Sequence, residues 1–319
     1  MKNLLQNSLL FILASLLSLL VGEGIVRFYT HHSLIYDIEM TRYALHLKTP
    51  HANPSIGFVH RQNSDGVFMG VELKTNSTGQ RAPHDYPLAP GPRVRVAHLG
   101  DSLTLGWGVK EEESFVSLLN QGETEMLNFG HGNFNAEQIS AYYADHVVEF
   151  KPRLVIYNYF INDAEVTPPN GVKGANLLSH SMLLSFVWSR MRMLFPSTLG
   201  VNNDFVSYYK DLYDGPGWSK TEQALIRLKA AVEDNGGKLI VVLLPELHDP
   251  RQYPFLSEHK KIGEFLTSQN IRFVDLLPVF SQVEDPRTLW VARDDAHPNA
   301  LAHKMIAEAE AKIIADALK

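Results

Sequence analysis

The sequence contains no cysteine, and this absence excludes several kinds of chemistry at once. A disulfide framework, a cysteine nucleophile and a thiolate metal site all need side chains that the chain does not have. Runs of lysine and arginine are also absent and the formal net charge at pH 7 is −6, so nucleic acid is not expected as a partner. No acid and histidine cluster has the spacing of a metal site, and no glycine-rich phosphate-binding loop occurs. We therefore expect neither a metal nor another cofactor.

Charged residues are missing from one long stretch, Leu4 to Gly22. As a helix it would be about 28 Å long, close to the roughly 30 Å hydrocarbon core of a bilayer. Its last residues and the two that follow read Leu-Leu-Val-Gly-Glu-Gly, a poor match to the Ala-x-Ala-like pattern of a cleavage site, so an uncleaved anchor over residues 1–27 is our first interpretation. A cleaved signal peptide is the alternative. A single-pass anchor in the inner (cytoplasmic) membrane would leave the rest of the chain extracytoplasmic, on the periplasmic side.

The rest of the chain divides into two regions of different character. Residues 28–92 begin with amphipathic runs and continue with many prolines, which predicts a helical stem and a small cap segment packed on the main domain. In residues 93–319 short apolar runs alternate with longer amphipathic ones. This alternation predicts an α/β fold with three layers, in which helices cover both faces of a five-stranded, mainly parallel sheet. An insertion at 164–218 contains the apolar stretch 177–195, interpreted as a core or lid helix, with a helix lying on a membrane as the alternative.

The predicted strands are Arg93–Leu99, Glu125–Phe129, Leu154–Phe160, Lys238–Leu244 and Ile271–Asp275. The predicted helices are Glu112–Gln121, Ala136–Phe150, Ser219–Glu233, Phe255–Ser268 and Asn299–Leu318. Three histidines have no acidic residue at a useful spacing, and we interpret them as surface or loop residues: His98, His131 and His303.

A serine, Ser102, follows the first predicted strand directly, in the sequence Gly-Asp-Ser-Leu. Ligands bind at the carboxyl ends of strands in α/β sheets. A serine hydroxyl becomes a nucleophile only when a base removes its proton, and the base needs an orienting acid. Near the carboxyl terminus His297 follows Asp294 by three residues, so one loop could present both. The adjacent Asp295 is a second candidate for the acid, and Asn162 follows the third predicted strand.

These motifs resemble those of the SGNH superfamily, also called GDSL-type lipases and esterases, over residues 93–318. The resemblance implies that Ser102 is the nucleophile, His297 the general base and Asp294 its orienting acid. It also implies that the Ser102 N–H and the Asn162 side-chain amide stabilise the oxyanion.

The superfamily takes its third oxyanion donor from a glycine N–H in the loop after the second strand. In this chain Gly132 is the nearest glycine. Matching Asn128 and Gln138 to the usual spacing places Asn133 at the donor position instead, so Gly132 and Asn133 are both candidates. Phe160 stands where a glycine usually opens the third motif, so we expect a narrower cleft near the acyl group.

The resemblance extends to a membrane-anchored extracytoplasmic subgroup through the segments Asn76–Arg81 and Leu289–Val291. It implies a serine-dependent acyl-ester hydrolase or O-acyltransferase acting on O-acetyl groups of a cell-surface glycan, with a multi-pass membrane acyltransferase as an implied partner. A lipid or general carboxylesterase is the alternative, and such an enzyme would use the apolar stretch 177–195 to contact lipid. A non-catalytic, membrane-tethered binding or assembly protein is the second alternative.

Overall fold

The computed structural model of the chain describes residues 2–166, 181–194 and 204–319. The strands are β1 (Lys48–Pro50), β2 (Phe58–His60), β3 (Asp65–Phe68), β4 (Val71–Lys74), β5 (Val94–Gly100), β6 (Thr124–Gly130), β7 (Leu154–Tyr159), β8 (Lys238–Leu243), β9 (Arg272–Asp275), β10 (Trp290–Ala292) and β11 (Asp295–Pro298). The α-helices are α1 (Lys2–His32), α2 (Tyr36–Leu47), α3 (Ser102–Leu105), α4 (Phe115–Leu119), α5 (Ala136–Asp145), α6 (Met182–Leu194), α7 (Phe205–Asp214), α8 (Pro216–Asp234), α9 (Leu256–Ser268), α10 (Leu277–Phe280) and α11 (Ala300–Ala317). Short 3-10 helices cover Glu111–Glu113, Val147–Phe150, Ile161–Ala164 and Pro286–Leu289.

The central sheet contains five parallel strands in the spatial order β6-β5-β7-β8-β9. These are the strands that the sequence predicts, and no predicted end differs from the observed one by more than one residue. Strand β5 pairs with β6 on one side and with β7 on the other, which places Gly100 beside Gly130 and Asn158. The carboxyl ends of these three strands therefore meet at one edge of the sheet.

Helices cover both faces of this sheet, as predicted. Alternate residues of β7 belong to two separate hydrophobic clusters: Val155 faces one cluster and Leu154 the other. The first cluster includes side chains from α5, α8 and α9, and the second includes side chains from α4 and α11. Because successive strand side chains point to opposite faces, this division shows a three-layer arrangement. Burial on both faces explains why the strands are continuously apolar.

Two predicted helices are broken in the structure. The one predicted over Glu112–Gln121 is a 3-10 turn followed by α4, because the Ser114 hydroxyl accepts the Ser117 N–H and starts a new helix. The one predicted over Ala136–Phe150 ends at Asp145 and continues as a 3-10 helix.

The amino-terminal helix α1 contains an apolar segment, Leu4–Thr30, with a mean hydropathy of 2.4. Its length and composition are sufficient to cross a membrane, and almost all of its side chains are exposed. The structure therefore contains one candidate span among the described residues, at the place where the sequence predicts it. Such a helix serves equally as an anchor or as a signal sequence.

Helix α6 begins against the end of this candidate span. The Glu23 carboxylate accepts hydrogen bonds from the Ser181 hydroxyl and from the backbone N–H groups of Met182 and Leu183, at 2.8–2.9 Å. A carboxylate is favourable at a helix amino terminus because it neutralises unpaired N–H groups and the helix dipole. The helix predicted over 177–195 is thus present from residue 182 to 194. Ser181 precedes it, and residues 177–180 and 195 lie outside the described ones.

The segment before β5 contains two antiparallel strand pairs, β1–β2 and β3–β4. Its Tyr43 side chain packs with Leu105 and Trp107, which lie at the end of α3 and just after it. The buried Arg81 guanidinium donates to the Leu105 carbonyl oxygen at 3.0 Å. This cap is therefore attached to the turn that begins at the carboxyl end of β5.

The three histidines interpreted as surface or loop residues are all buried. The prediction is wrong for His98 and His303, which lie in β5 and α11, whereas His131 does lie in the loop after β6. His98 and His303 have no exposed surface, and His131 has 1%. His98 faces Glu310 of α11 across 3.3 Å, and the ring of His303 stacks on Phe115. Burial lowers the pKa of each of these histidines to about 3, so they pack as neutral rings.

Substituting Gly130 by alanine should destabilise the protein more than the same substitution at an open position. A Cβ at this position would lie 2.1 Å from the backbone nitrogen of Leu105, so the strand and the turn must separate. We expect the free energy of unfolding to fall by about 1–3 kcal/mol, as measured by urea denaturation. Gly91→Ala is the matched control, because nothing lies within 4 Å of its Cβ position. Equal stability of the two variants would contradict the close approach.

Candidate active site

A short turn presents Ser102 at the carboxyl end of β5. The preceding residue, Asp101, is fully buried, and its Oδ1 accepts the Leu103 N–H at 2.9 Å, which caps α3. Burial raises the pKa of Asp101, against hydrogen bonds from Leu103 and Asn162 that lower it. Asp101 therefore stabilises the turn, and Ser102 begins the helix with 4% of its surface exposed.

The Ser102 hydroxyl contacts His297, which comes from the opposite end of the sequence. Its Oγ lies 2.9 Å from His297 Nε2. The other ring nitrogen, His297 Nδ1, lies 2.5 Å from Asp295 Oδ1, which also accepts the His297 backbone N–H at 3.1 Å. The Trp107 indole N–H donates to the second Asp295 oxygen at 3.0 Å. The three side chains thus form a continuous hydrogen-bonded chain whose carboxylate is held from two sides.

The carboxylate that contacts the His297 imidazole belongs to Asp295 and not to Asp294, the first candidate from the sequence. Strands β10 and β11 form a hairpin, and Asp294 is in its turn, exposed and without a hydrogen bond to His297. Asp295 and His297 both belong to β11 and are separated by one residue. Side chains at alternate strand positions point to the same face, so these two meet.

Charge at the site favours the protonated form of His297. Burial alone would lower the pKa of His297, but the carboxylates of Asp295, Asp101 and Glu246 and the hydrogen bond that His297 donates to Asp295 outweigh it and raise that pKa. Burial would likewise raise the pKa of Asp295, but the contacts with His297 and Trp107 lower it. The pair is therefore arranged to accept a proton on the imidazole while the carboxylate stays ionised.

Asn162 reaches the same place from the carboxyl end of β7. Its Nδ2 donates to Asp101 Oδ2 at 3.2 Å, and that oxygen lies 3.4 Å from Ser102 Oγ. The predicted amide donor and the predicted nucleophile therefore share one neighbouring atom. Asp163 is fixed beside them by the Tyr157 hydroxyl and the Phe160 N–H, both at 2.9 Å, and holds the loop that carries Asn162.

The loop after β6 contains both candidates for the third oxyanion donor, and their backbone N–H groups differ. The Gly132 N–H already donates to the Tyr43 hydroxyl at 3.0 Å, and a Cβ on Gly132 would touch that ring. Asn133 has a left-handed backbone, with φ at 65°, which asparagine tolerates better than most residues. Within the described ranges its N–H has no hydrogen-bond partner. The geometry therefore favours Asn133 over Gly132 as the donor.

A buried lysine of the cap holds this loop. Lys48 Nζ donates to the Gly132 carbonyl oxygen at 2.6 Å and to Asn133 Oδ1 at 2.8 Å. It also lies 4.1 Å from the centre of the Phe58 ring and 4.9 Å from that of Tyr43. Burial lowers the pKa of Lys48 to about 7. The two hydrogen bonds and the two aromatic rings favour the charged form of Lys48 and so oppose the effect of burial.

The cap also covers the histidine. The ring of Tyr36 lies 5.4 Å from that of His297 and meets Trp107 edge-on at 6.4 Å. The sequence carries no signal for Tyr36, Lys48 or Trp107, because none belongs to a motif and each acts only through tertiary contact.

A pocket of about 170 Å³ opens beside the serine and the histidine. Its walls carry several aromatic rings, and Phe160 is one of them. The residues that line it are Tyr36, Leu103, Phe160, Phe205, Tyr209, Pro245, Glu246, Leu247, His248, Asp294, Asp295, Ala296, His297 and Pro298. Among the described residues no cluster of histidine and acidic side chains could hold a metal ion.

Residues 96–310 match the family model of the GDSL-like lipases and acylhydrolases. No curated protein matches the sequence. Among solved structures, a putative lipolytic protein of the G-D-S-L family from Desulfitobacterium hafniense is 16% identical, with a TM-score of 0.45 over 69% of this chain and 99% of that one. The acetylxylan esterase Axe2 from Geobacillus stearothermophilus is 17% identical, with a TM-score of 0.45 over 70% of this chain and 94% of that one. These two likenesses are too distant to carry an argument about function.

Asp295→Asn should remove most of the activity, because an amide leaves His297 in the wrong tautomer and cannot stabilise its charged form. We expect kcat to fall by about 10⁴-fold. Asp294→Asn, the matched neighbour, should change it by less than about tenfold, since Asp294 does not contact the imidazole. Hydrolysis of an activated acetate ester measures both. A larger loss in the Asp294 variant would return the role of orienting acid to Asp294.

The pH dependence should follow the raised pKa of His297. The imidazole accepts a proton only in its neutral form, which predominates above that pKa. We therefore expect kcat/KM to fall with decreasing pH through an inflection above the ordinary histidine value of about 6.5. A pH profile of kcat/KM measures this inflection. An inflection below 6.5 would show that burial outweighs the carboxylates.

Proposed function

The chain belongs to the GDSL-like lipase/acylhydrolase family and is an esterase, and from this premise we propose that Ser102 carries the acyl group of an ester as a covalent intermediate. The observation that carries the proposal is the hydrogen-bonded chain from Ser102 through His297 to Asp295. It provides a nucleophile, a base within reach of its proton and a carboxylate that orients the base.

In the first step Ser102 Oγ bonds to the ester carbonyl carbon while His297 Nε2 takes the hydroxyl proton. The negative charge that develops on the carbonyl oxygen is stabilised by the Ser102 N–H, the Asn133 N–H and the Asn162 amide. The ester C–O bond then breaks, and His297 gives its proton to the departing alcohol. A second hydroxyl, from water or from an acceptor, then bonds to the acyl carbon while His297 takes its proton. The bond from the acyl carbon to Ser102 Oγ breaks, and His297 returns the proton to Ser102.

For the substrate we propose O-acetyl groups of a cell-surface glycan. The compact pocket supports a short acyl group, since pockets for larger ligands commonly measure about 300–1,000 Å³. Phe160 in its wall reduces the space further. Hydrolase and O-acyltransferase differ only in whether water or a sugar hydroxyl resolves the acyl-enzyme.

The apolar helix α1 supports a location at the inner membrane, with the esterase domain on its periplasmic side. In this setting a multi-pass membrane acyltransferase would supply the acyl group that Ser102 receives. Both the location and the partner belong to the proposal.

A lipid or general carboxylesterase is the second candidate, and helix α6 favours it. Three of its apolar side chains, Leu184, Val187 and Met191, are exposed beside the candidate membrane span. Such a surface would suit an ester with a long acyl chain.

Acyl-chain preference should separate the two candidates. We expect kcat/KM of the purified protein to be highest on acetyl esters and to fall as the acyl chain lengthens, because the described pocket is short. Release of 4-nitrophenol from acetate, butyrate and octanoate esters measures this series, with Ser102→Ala as the inactive control. A preference for octanoate that is lost in Leu184→Ser/Val187→Ser would favour the lipid substrate instead.

Labelling with a serine-reactive phosphonate tests the catalytic role itself. We expect the wild type to be labelled and Ser102→Ala to remain unlabelled. A folded wild type that takes no label would favour a non-catalytic binding or assembly protein.

A further inference from the structure

The pocket contains a second acid and histidine pair, Glu246 and His248, just after the carboxyl end of β8. The Glu246 carboxylate accepts a hydrogen bond from the His248 backbone N–H at 2.9 Å and contacts His248 Nδ1 with its other oxygen. The spacing is that of Asp295 and His297, with one residue between acid and histidine. The carboxylate occupies Nδ1, so Nε2 is the ring nitrogen left for another partner.

Aromatic side chains fix the plane of this second imidazole. The ring of Phe205 lies 5.2 Å from that of His248, and the ring of Trp290 lies 4.9 Å away at a steep angle. The Trp290 indole N–H donates to the Leu247 carbonyl oxygen at 2.9 Å, which anchors the loop between the acid and the histidine. His248 is therefore oriented by three neighbouring elements: its own loop, α7 and β10.

The exposure of the pair is uneven. The Glu246 side chain is only 6% exposed, whereas that of His248 is 49% exposed. A histidine whose role is packing alone would be covered, as His98 is. The buried acid thus holds an accessible imidazole in one orientation, and that imidazole lines the same pocket as His297.

The charged groups around His248 favour its protonated form. The hydrogen bond that His248 donates to Glu246 raises the pKa of His248, burial opposes it, and the charges of Glu246 and Asp295 add to the rise. Asp294 and His297 also line this pocket, and the rings packed on His248 are uncharged. Acidic side chains outnumber basic ones here, so the pocket does not favour an anionic group. A protonated imidazole equally disfavours an alkyl chain at this position.

We propose that His248 Nε2–H donates a hydrogen bond to an oxygen of a sugar ring that carries the ester, and that Glu246 positions His248 for this contact. This subsite rests on the proposed function and assigns its substrate class: an O-acetylated sugar and not the acetate of an unsubstituted alcohol. Phe205 and Tyr209 supply aromatic surface beside it, since both line the pocket. Apolar walls with a few oriented polar groups are typical of sites for such ligands.

His248→Gln tests the subsite with two esters of matched shape. One is a mono-O-acetylated methyl glycoside, and the other is cyclohexyl acetate, whose ring has no hydroxyl groups. The substitution removes a charged donor, so we expect kcat/KM on the glycoside to fall by about 10–100-fold, chiefly through KM. The loss on cyclohexyl acetate should be at least about tenfold smaller. Released acetate measures both reactions.

His84→Gln is the control, because His84 is exposed and lies outside this pocket, and it should match the wild type on both esters. Equal losses on the two esters in His248→Gln would show that His248 only supports the fold of the site. Unchanged kinetics would show that it does not touch substrate. Either result overturns the subsite. A wild type that cleaves neither ester would refute the proposed function, whereas one that cleaves cyclohexyl acetate as well as the glycoside would overturn the subsite alone.

Glu246→Gln provides a readout that a merely structural role would not change. The donor is the protonated imidazole, so in the wild type KM for the glycoside should rise when the pH passes above the raised pKa of His248. Loss of the Glu246 charge lowers that pKa, and the rise in KM should move to lower pH. KM for cyclohexyl acetate should show no such rise. An identical pH profile of KM in both proteins would contradict the role of Glu246.

Discussion

Parallel pairing of β5 with β6 and β7 is the constraint on which the site depends. It brings Gly100, Gly130 and Asn158 side by side at one edge, so three loops from different parts of the chain leave the sheet together. The approach is so close at Gly130 that only a hydrogen atom fits against the turn that begins with Ser102. The position of the serine is thus a property of the sheet, and the loops add the groups that act on it.

The strands and two members of the site could be predicted from the sequence because each leaves a local pattern. Continuous apolar runs mark strands buried on both faces. Ser102 follows one of these strands in a recognisable motif, and His297 stands in another motif just before the last predicted helix. The choice between Asp294 and Asp295 could not be made in this way. It depends on where a two-residue hairpin turn ends and β11 begins, and a difference of one residue reverses the face to which a side chain points.

The cap was predictable only as a segment that packs on the main domain, and its contribution to the site was not. Lys48 and Tyr36 lie in stretches without a motif, yet one holds the loop of Asn133 and the other covers His297. The buried histidines were misinterpreted for a related reason. A histidine without an acid nearby in sequence can still be buried opposite one across the core, as His98 is opposite Glu310.

The contact between Ser102 and His297 joins residues 195 positions apart, and the one between Lys48 and Gly132 joins residues 84 apart. Because synthesis proceeds from the amino terminus, the two partners of each of these contacts are made at different times. The cap leaves the ribosome before either of the loops that it touches, and His297 is made 195 residues after Ser102. Ser102 therefore has no imidazole beside it until the β10–β11 hairpin has been made. The proposed ester chemistry needs this hairpin to fold back on the turn at the end of β5, so the site assembles late in folding.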